Sequence, residues 1–243
     1  WSIQPLAARA LLPIFGGSSA VWTSSLVFFQ TTLLFGYLLG HWVAGRSKVA
    51  LGTVLILIAF TLLRQPVSFM NNTVVEHPAV DVWILLALAV ALPSLILYAC
   101  SPIVQWVIGD AKGQSTFTLF AWSNVGSLAG LVSYPFLVEP YLSLQRQLTV
   151  WSLLFAIIGV LLSIILITHH ISNQHEATRI HKLSLRWSWV CPSALGVALL
   201  VGVSDAISVD LTVTPILWIL PLAVYLLTFI ITFGFPGIWV GRI

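Results

Sequence analysis

Charged side chains are scarce in this sequence: ten Lys and Arg and seven Asp and Glu among 243 residues. A soluble globule carries about a quarter of its residues as charges, so that class is excluded. The net charge of +3 rests on so few cations that it gives no footprint for nucleic acid. Cysteine is nearly absent too. Cys100 and Cys191 stand far apart with no C-x-x-C spacing, which excludes a disulfide framework and reads as two buried reduced thiols. The only methionine is Met70 and the chain begins at Trp1, so the expectation is a processed N-terminus or missing upstream residues. Segments of about ten residues alternating apolar and polar are lacking, which argues against a membrane barrel. Enzymatic signatures are also missing. There is no phosphate loop of the G-x-x-x-x-G-K-[ST] type, no nucleophile elbow, no H-E-x-x-H and no dinucleotide turn. The sequence therefore predicts a non-catalytic protein with no cofactor and no bound metal.

What fills the space is apolar: 59% of residues are hydrophobic. Several apolar runs reach the roughly 18–20 residues that cross a hydrocarbon layer as a helix. The prediction is an all-α, polytopic transmembrane bundle of about eight helices. Residues 1–168 form an N-terminal bundle of about six, the first (1–14) truncated. The next are expected over 20–44, 49–63, 82–108, 116–142 and 148–168. Residues 169–186 read as a basic loop and 187–243 as two further helices, over 187–203 and 215–235. Pro93 and Pro102 predict kinks in the fourth helix. Alternating the loops puts Arg46, Lys48, Lys112, Arg179, Lys182, Arg186 and Arg242 on one side, against Arg9, Arg64 and Arg146 on the other. The first side is thereby cytoplasmic. The far side collects Glu76, Asp81, Glu139, Asp205 and Asp210. Trp1, Trp83, Trp106, Trp151, Trp187 and Trp189 fall near predicted helix ends, as interfacial anchors do.

Two helices carry small-residue faces. Thr32, Gly36 and Gly40 stack on the second. Ser123, Ser127, Gly130 and Tyr134 share a face of the fifth, where Gly126 and Gly130 form a second G-x-x-x-G step. Small residues at that spacing admit a neighbouring backbone, and hydroxyls there can bond across the contact. Polar side chains at membrane depth face a bundle interior or a cavity. Gln4, Arg9, Gln30, Gln105 and Asn124 are of this kind, and act either as a solute path or as glue between helices. Asp205 and Asp210, beside Trp218, read either as a vestibule for an organic cation or as a solvated loop with helix caps. His169, His170, His175 and His181 match no ligand spacing and read as a solvated loop.

The stretch QPLAARALLPIFGGSSAVWTSSLVFFQTTLLFGYLLG (4–40) resembles the start of the membrane domain of bacterial fused major-facilitator/spermidine-synthase-like proteins. SNVGSLAGLVSYPFLVEP (123–140) is similar to their fifth-helix signature, and WILPLAVYLLTFIITF (218–233) to a later helix. The resemblance implies a facilitator-like fold in a bacterial inner membrane. In many members an aminopropyltransferase-like domain follows; none of these stretches carries that activity. The loop GHWVAGRSK (40–48) keeps the glycines and Arg46 of the facilitator loop motif but lacks its aspartate.

Together these readings predict a small-solute transporter-like domain, or the membrane part of a spermidine-synthase-like protein. Gln30, Asn124 and Tyr134 line the path in this reading, and an organic cation such as a polyamine is the candidate solute. The alternative is an accessory or scaffold subunit of a larger membrane complex. Besides the lipid bilayer, the partners expected are other membrane subunits or that cation, and no nucleic acid.

Overall fold

The computed structural model describes residues 3–16, 18–43, 78–112, 116–172, 187–210 and 216–234. Helix α1 covers Ile3–Phe15 and α2 covers Ser19–Val43. A third rod, α3, joins Pro78–Leu86 through a π-helical segment, Ala87–Ala91, to Leu92–Lys112. Helix α4 runs over Thr116–Ser133 and ends in a second π segment, Tyr134–Val138. Helices α5 (Leu144–Ser172), α6 (Trp187–Asp210) and α7 (Ile216–Gly234) complete the described residues, among which no strand occurs. Among the described residues, four helices are long and apolar enough to cross a membrane: Ala20–Val43, Ala79–Val107, Leu144–Thr168 and Val190–Ile207. That is the build of an integral membrane protein, because only a helix or a closed barrel satisfies its backbone in lipid.

Several expected boundaries move. Seven rods are described; the helix expected over 49–63 lies outside the described residues, as do 173–186 of the basic loop. Helix α5 starts at Leu144, four residues before the expected position, and continues through His169 and His170. Helix α6 extends through Asp205 to Asp210, so these acids are not in a loop. Thr23 Oγ1 donates to Asp205 Oδ1 at 2.7 Å, which gives the carboxylate a partner on α2 within the bundle. Both π segments sit at a proline. Pro93 and Pro135 lack an N–H and would clash with the carbonyl four residues earlier. Widening the turn before Pro93 relieves that clash over the segment that ends at Ala91. Pro102, where a kink is also expected, instead lies inside a continuous α-helix.

Three apolar clusters hold the rods. Ile3, Ala7 and Leu11 of α1 pack with Val21, Phe28 and Phe29 of α2 and with Val82, Leu85 and Leu86 of α3. Val43 meets Ile96, Ala99 and Ile103 of α3 and Phe155, Leu162 and Leu166 of α5. Leu131 of α4, Leu200 of α6 and Leu222 and Leu226 of α7 form the third. The tightest join is between α2 and α3. A Cβ added at Gly36 would stand 2.5 Å from Tyr98 Cβ, and one at Gly40 would stand 2.7 Å from the Ala99 carbonyl oxygen. No side chain fits there.

Around Gly126 and Gly130 the situation is the reverse: nothing lies within 4 Å of an added Cβ. The helix contact expected across this step is not made by any described residue. Its spacing matches that of Gly36 and Gly40, but a G-x-x-x-G step packs only where a second helix crosses it. Replacing Gly40 with Leu is expected to cost at least about 1–3 kcal/mol of stability, the usual penalty for overpacking. Gly126→Leu is expected to stay within about 0.5 kcal/mol of the parent. Equilibrium unfolding in mixed micelles reads both.

Candidate functional site

A cavity of about 610 Å³ opens at the centre of the described bundle, and all seven rods contribute to its wall. Its volume lies in the range of small-molecule sites, roughly 300–1,000 Å³. One member of each apolar cluster borders it: Ile3, Phe155 and Leu226. The cavity is therefore the space left where three separately packed groups of helices meet.

Its lining combines aromatic faces with uncharged polar groups. Helix α2 supplies Gln30 and Tyr37, α3 supplies Ser94, Tyr98 and Ser101, and α4 supplies Ser123, Asn124 and Ser127. Ser193 of α6 and Tyr225 of α7 close the far side. Phe120 packs edge-on against Phe233 with ring centroids 4.9 Å apart, and Tyr225 against Phe229 at the same separation. Among the described residues of the wall there is neither an acid nor a base.

Most of these polar groups have partners in the protein. Tyr37 is hydrogen-bonded to Ser101, and Gln105 Nε2 donates to Ser101 Oγ at 3.2 Å. Gln4, buried on α1, donates from Nε2 to the Tyr98 hydroxyl at 3.4 Å. Asn124 Nδ2 turns back to the Phe120 carbonyl at 2.8 Å, and Ser127 Oγ to that of Ser123 at 2.8 Å. Two groups differ. Gln30 Nε2 and Ser94 Oγ are enclosed and have no hydrogen-bond partner, and Ser94 is wholly buried. A buried polar group left unpaired costs about 1–3 kcal/mol. Both residues border the cavity, and both atoms are enclosed, so a molecule held there could satisfy them once the side chain turns toward it.

Of the residues expected on a solute path, the structure brings Gln30 and Asn124 to this cavity and takes Tyr134 and Asp205 elsewhere. Tyr134 is buried, and its hydroxyl donates to Gln147 Oε1 at 3.0 Å, tying the end of α4 to α5. Gln147 Nε2 in turn donates to the Leu142 carbonyl at 2.8 Å. Asp205 bonds Thr23 and is absent from the lining. Asp210 is the last residue of α6, and Trp218 belongs to α7. Ser123 and Ser127, expected to pack against a helix, line the cavity instead. Thr32 is buried and donates to the Phe28 carbonyl at 2.8 Å. Arg9 reaches the Glu139 carbonyl at 3.4 Å.

Trp151, expected at the membrane interface, is instead part of the cavity wall, stacked on Phe155 with centroids 5.6 Å apart. The early start of α5 explains the difference, because it moves Trp151 two turns into the helix. Ser94 was not singled out from the sequence. Its signal is a lone hydroxyl after Pro93 in an otherwise apolar run, which looks like any tolerated helix serine. Both cysteines are free, and Cys191 is exposed, not buried as expected. Among the described residues no group of three or more His, Cys, Asp and Glu comes together.

Comparison of the chain with protein families, with curated proteins and with solved structures finds no match. The unpaired state of Ser94 has a measurable signature. Ser94→Ala is expected to leave stability unchanged or to raise it by up to about 1 kcal/mol, since no bond is lost. Tyr134→Phe, which strands Gln147 Oε1, is expected to lose about 1 kcal/mol, the usual size of a membrane-protein hydrogen bond. Thermal unfolding of the two variants side by side separates the cases.

Proposed function

We propose that this chain is a non-catalytic, facilitator-like membrane domain that binds and moves a small organic solute through its central cavity, in a bacterial inner membrane with the basic loops on the cytoplasmic side. The observation that carries the reading is the pair of enclosed, unpartnered polar atoms, Gln30 Nε2 and Ser94 Oγ, at the edge of a cavity of ligand size. A bundle selected for stability alone gains by replacing such groups with apolar ones. Their presence is explained by a solute that they contact.

The solute is small, mostly apolar and able to hydrogen-bond. An uncharged molecule suits this wall better than the organic cation expected from the resemblance to spermidine-synthase-like proteins. For a cation the described wall offers aromatic faces and neutral oxygen acceptors but no opposite charge, and aromatic faces attract positive charge weakly unless it is desolvated. Asp205, which could have supplied the opposite charge, is engaged by Thr23.

A second reading, a subunit of a larger membrane complex, is favoured by one observation: the open Gly126–Gly130 step on α4. Small-residue steps of this kind accept a helix from another chain as readily as from the same one.

Uptake into proteoliposomes tests the first reading, with spermidine as the charged probe and a panel of uncharged amides as the alternative. Saturable uptake is expected for a member of the panel, and Asn124→Leu is expected to reduce it at least tenfold without loss of folded protein. Unchanged uptake in Asn124→Leu removes this cavity from the path. Native mass spectrometry of the protein released from its own membrane tests the second. A mass of one 26.6 kDa chain or a simple multiple supports the carrier, whereas other polypeptides in the particle support the subunit.

A further inference from the structure

A second cavity, of about 210 Å³, lies between α1, α3 and α5. Its lining is apolar throughout, with Leu6 and Leu11 from α1, Leu85 and Ala89 from α3, and Leu144 and Leu148 from α5. An apolar cavity of this order stays dry and takes up hydrocarbon; an engineered one of about 150 Å³ binds benzene. Ile3 and Trp151 border both cavities, so the two cavities adjoin at these side chains. The chain order gives the arrangement. On α5 the small cavity is lined from Leu144 to Trp151 and the large one from Trp151 to Ile158. On α3 the small one spans Leu85–Val90 and the large one Ser94–Ser101. The cavities are therefore stacked end to end along the same two helices. The first is polar at Gln30 and Ser94, and the second is apolar.

Resting on the reading of the large cavity as a solute site, we infer that its ligand is an uncharged amphiphile. A compact hydrogen-bonding head meets Gln30 in the large cavity, and a narrow hydrocarbon tail passes Trp151 into the small one. The terminal torsion of a glutamine is broad, so the Gln30 amide can turn to meet an acceptor on the head. The head then satisfies an unpaired donor. The tail makes dispersion contacts with a lining that otherwise faces empty space. The alanines Ala7, Ala10 and Ala89 keep the α1 and α3 sides of this lining free of bulk, which leaves room for a hydrocarbon chain.

The probe is a photoreactive alkanamide with a diazirine on its last carbon, applied to the intact protein in lipid nanodiscs, with labelled residues read by mass spectrometry. Saturable labelling within 85–90 or 144–148 is expected, and excess butanamide, which shares the head and lacks the tail, is expected to displace it. Gln30→Leu is expected to reduce labelling at least fivefold. Ala89→Phe and Ala10→Phe fill the small cavity from different helices. Each is expected to abolish labelling there, provided its melting temperature shows a folded protein. Labelling that butanamide cannot displace and that Gln30→Leu leaves unchanged identifies an acyl chain of the bilayer as the occupant, and overturns the inference. Gln30-dependent binding of butanamide, with the long probe labelling only lipid-facing residues, also overturns it while leaving the large cavity a solute site. If neither amide binds in a Gln30-dependent way, the amphiphile is rejected, and the Asn124→Leu uptake experiment decides the solute reading by itself.

Discussion

The approach of two backbones, α2 against α3 at Gly36 and Gly40, is the contact on which the rest of the bundle depends. In lipid no hydrophobic force draws one apolar helix to another, so association relies on packing and on bonds between helices. A glycine step is an economical source of packing, because removing side chains lets whole turns touch. It also sets register. With Gly36 against Tyr98 and Gly40 against Ala99, Tyr37 falls beside Ser101 and bonds it. The same register puts Gln30 on α2 and Ser94 on α3 at the edge of one space.

The polar side chains divide along that line. Ser25, Thr32, Ser152 and Ser163 each donate to the carbonyl four residues back in their own helix. A hydroxyl satisfied in this way is tolerated at any depth and carries no information about function. Others join helices, as Gln4 does with Tyr98 and Thr23 with Asp205. Gln30 Nε2 and Ser94 Oγ do neither. Among the described residues of the cavity wall, these two are the groups left without an internal solution. The proposed site is drawn around them.

Much of the architecture is legible in the residues, and the limits of legibility are physical. Apolar length and composition mark four spans among the described residues, since a membrane imposes one thickness on every helix. The helices expected over 1–14, 116–142 and 215–235 form without reaching that length and hydropathy. Helix ends are harder. Leu144–Leu148 and Ser204–Asp210 are polar enough to read as loop, yet both continue as helix because partners on other rods, Tyr134 for Gln147 and Thr23 for Asp205, satisfy their side chains. The two G-x-x-x-G steps look alike in one dimension. Only the crossing of α3 over α2 distinguishes them, and that is a property of the whole bundle. Gln30 and Asn124 could be identified because a carboxamide in an apolar run is conspicuous. Ser94 could not, since its significance lies in a missing partner.

The π segment in α3 also bears on how this protein could change over time. Each residue of an α-helix advances the side-chain direction by about 100°, and a π turn holds one residue more than its neighbours. Upstream of Ala87–Ala91, α3 presents Val82, Leu85 and Leu86 to α1 and α2; downstream it presents Ile96, Ala99 and Ile103 to α2 and α5. The widened turn shifts the phase between these two sets, which share α2 and differ in their other partner. Loss of a single codon there would restore an ordinary helix and swing Ser94, Tyr98 and Ser101 away from the cavity. Substitutions in this segment leave the phase intact, so its length is constrained separately from its letters, of which Ala89 and Val90 also line the small cavity.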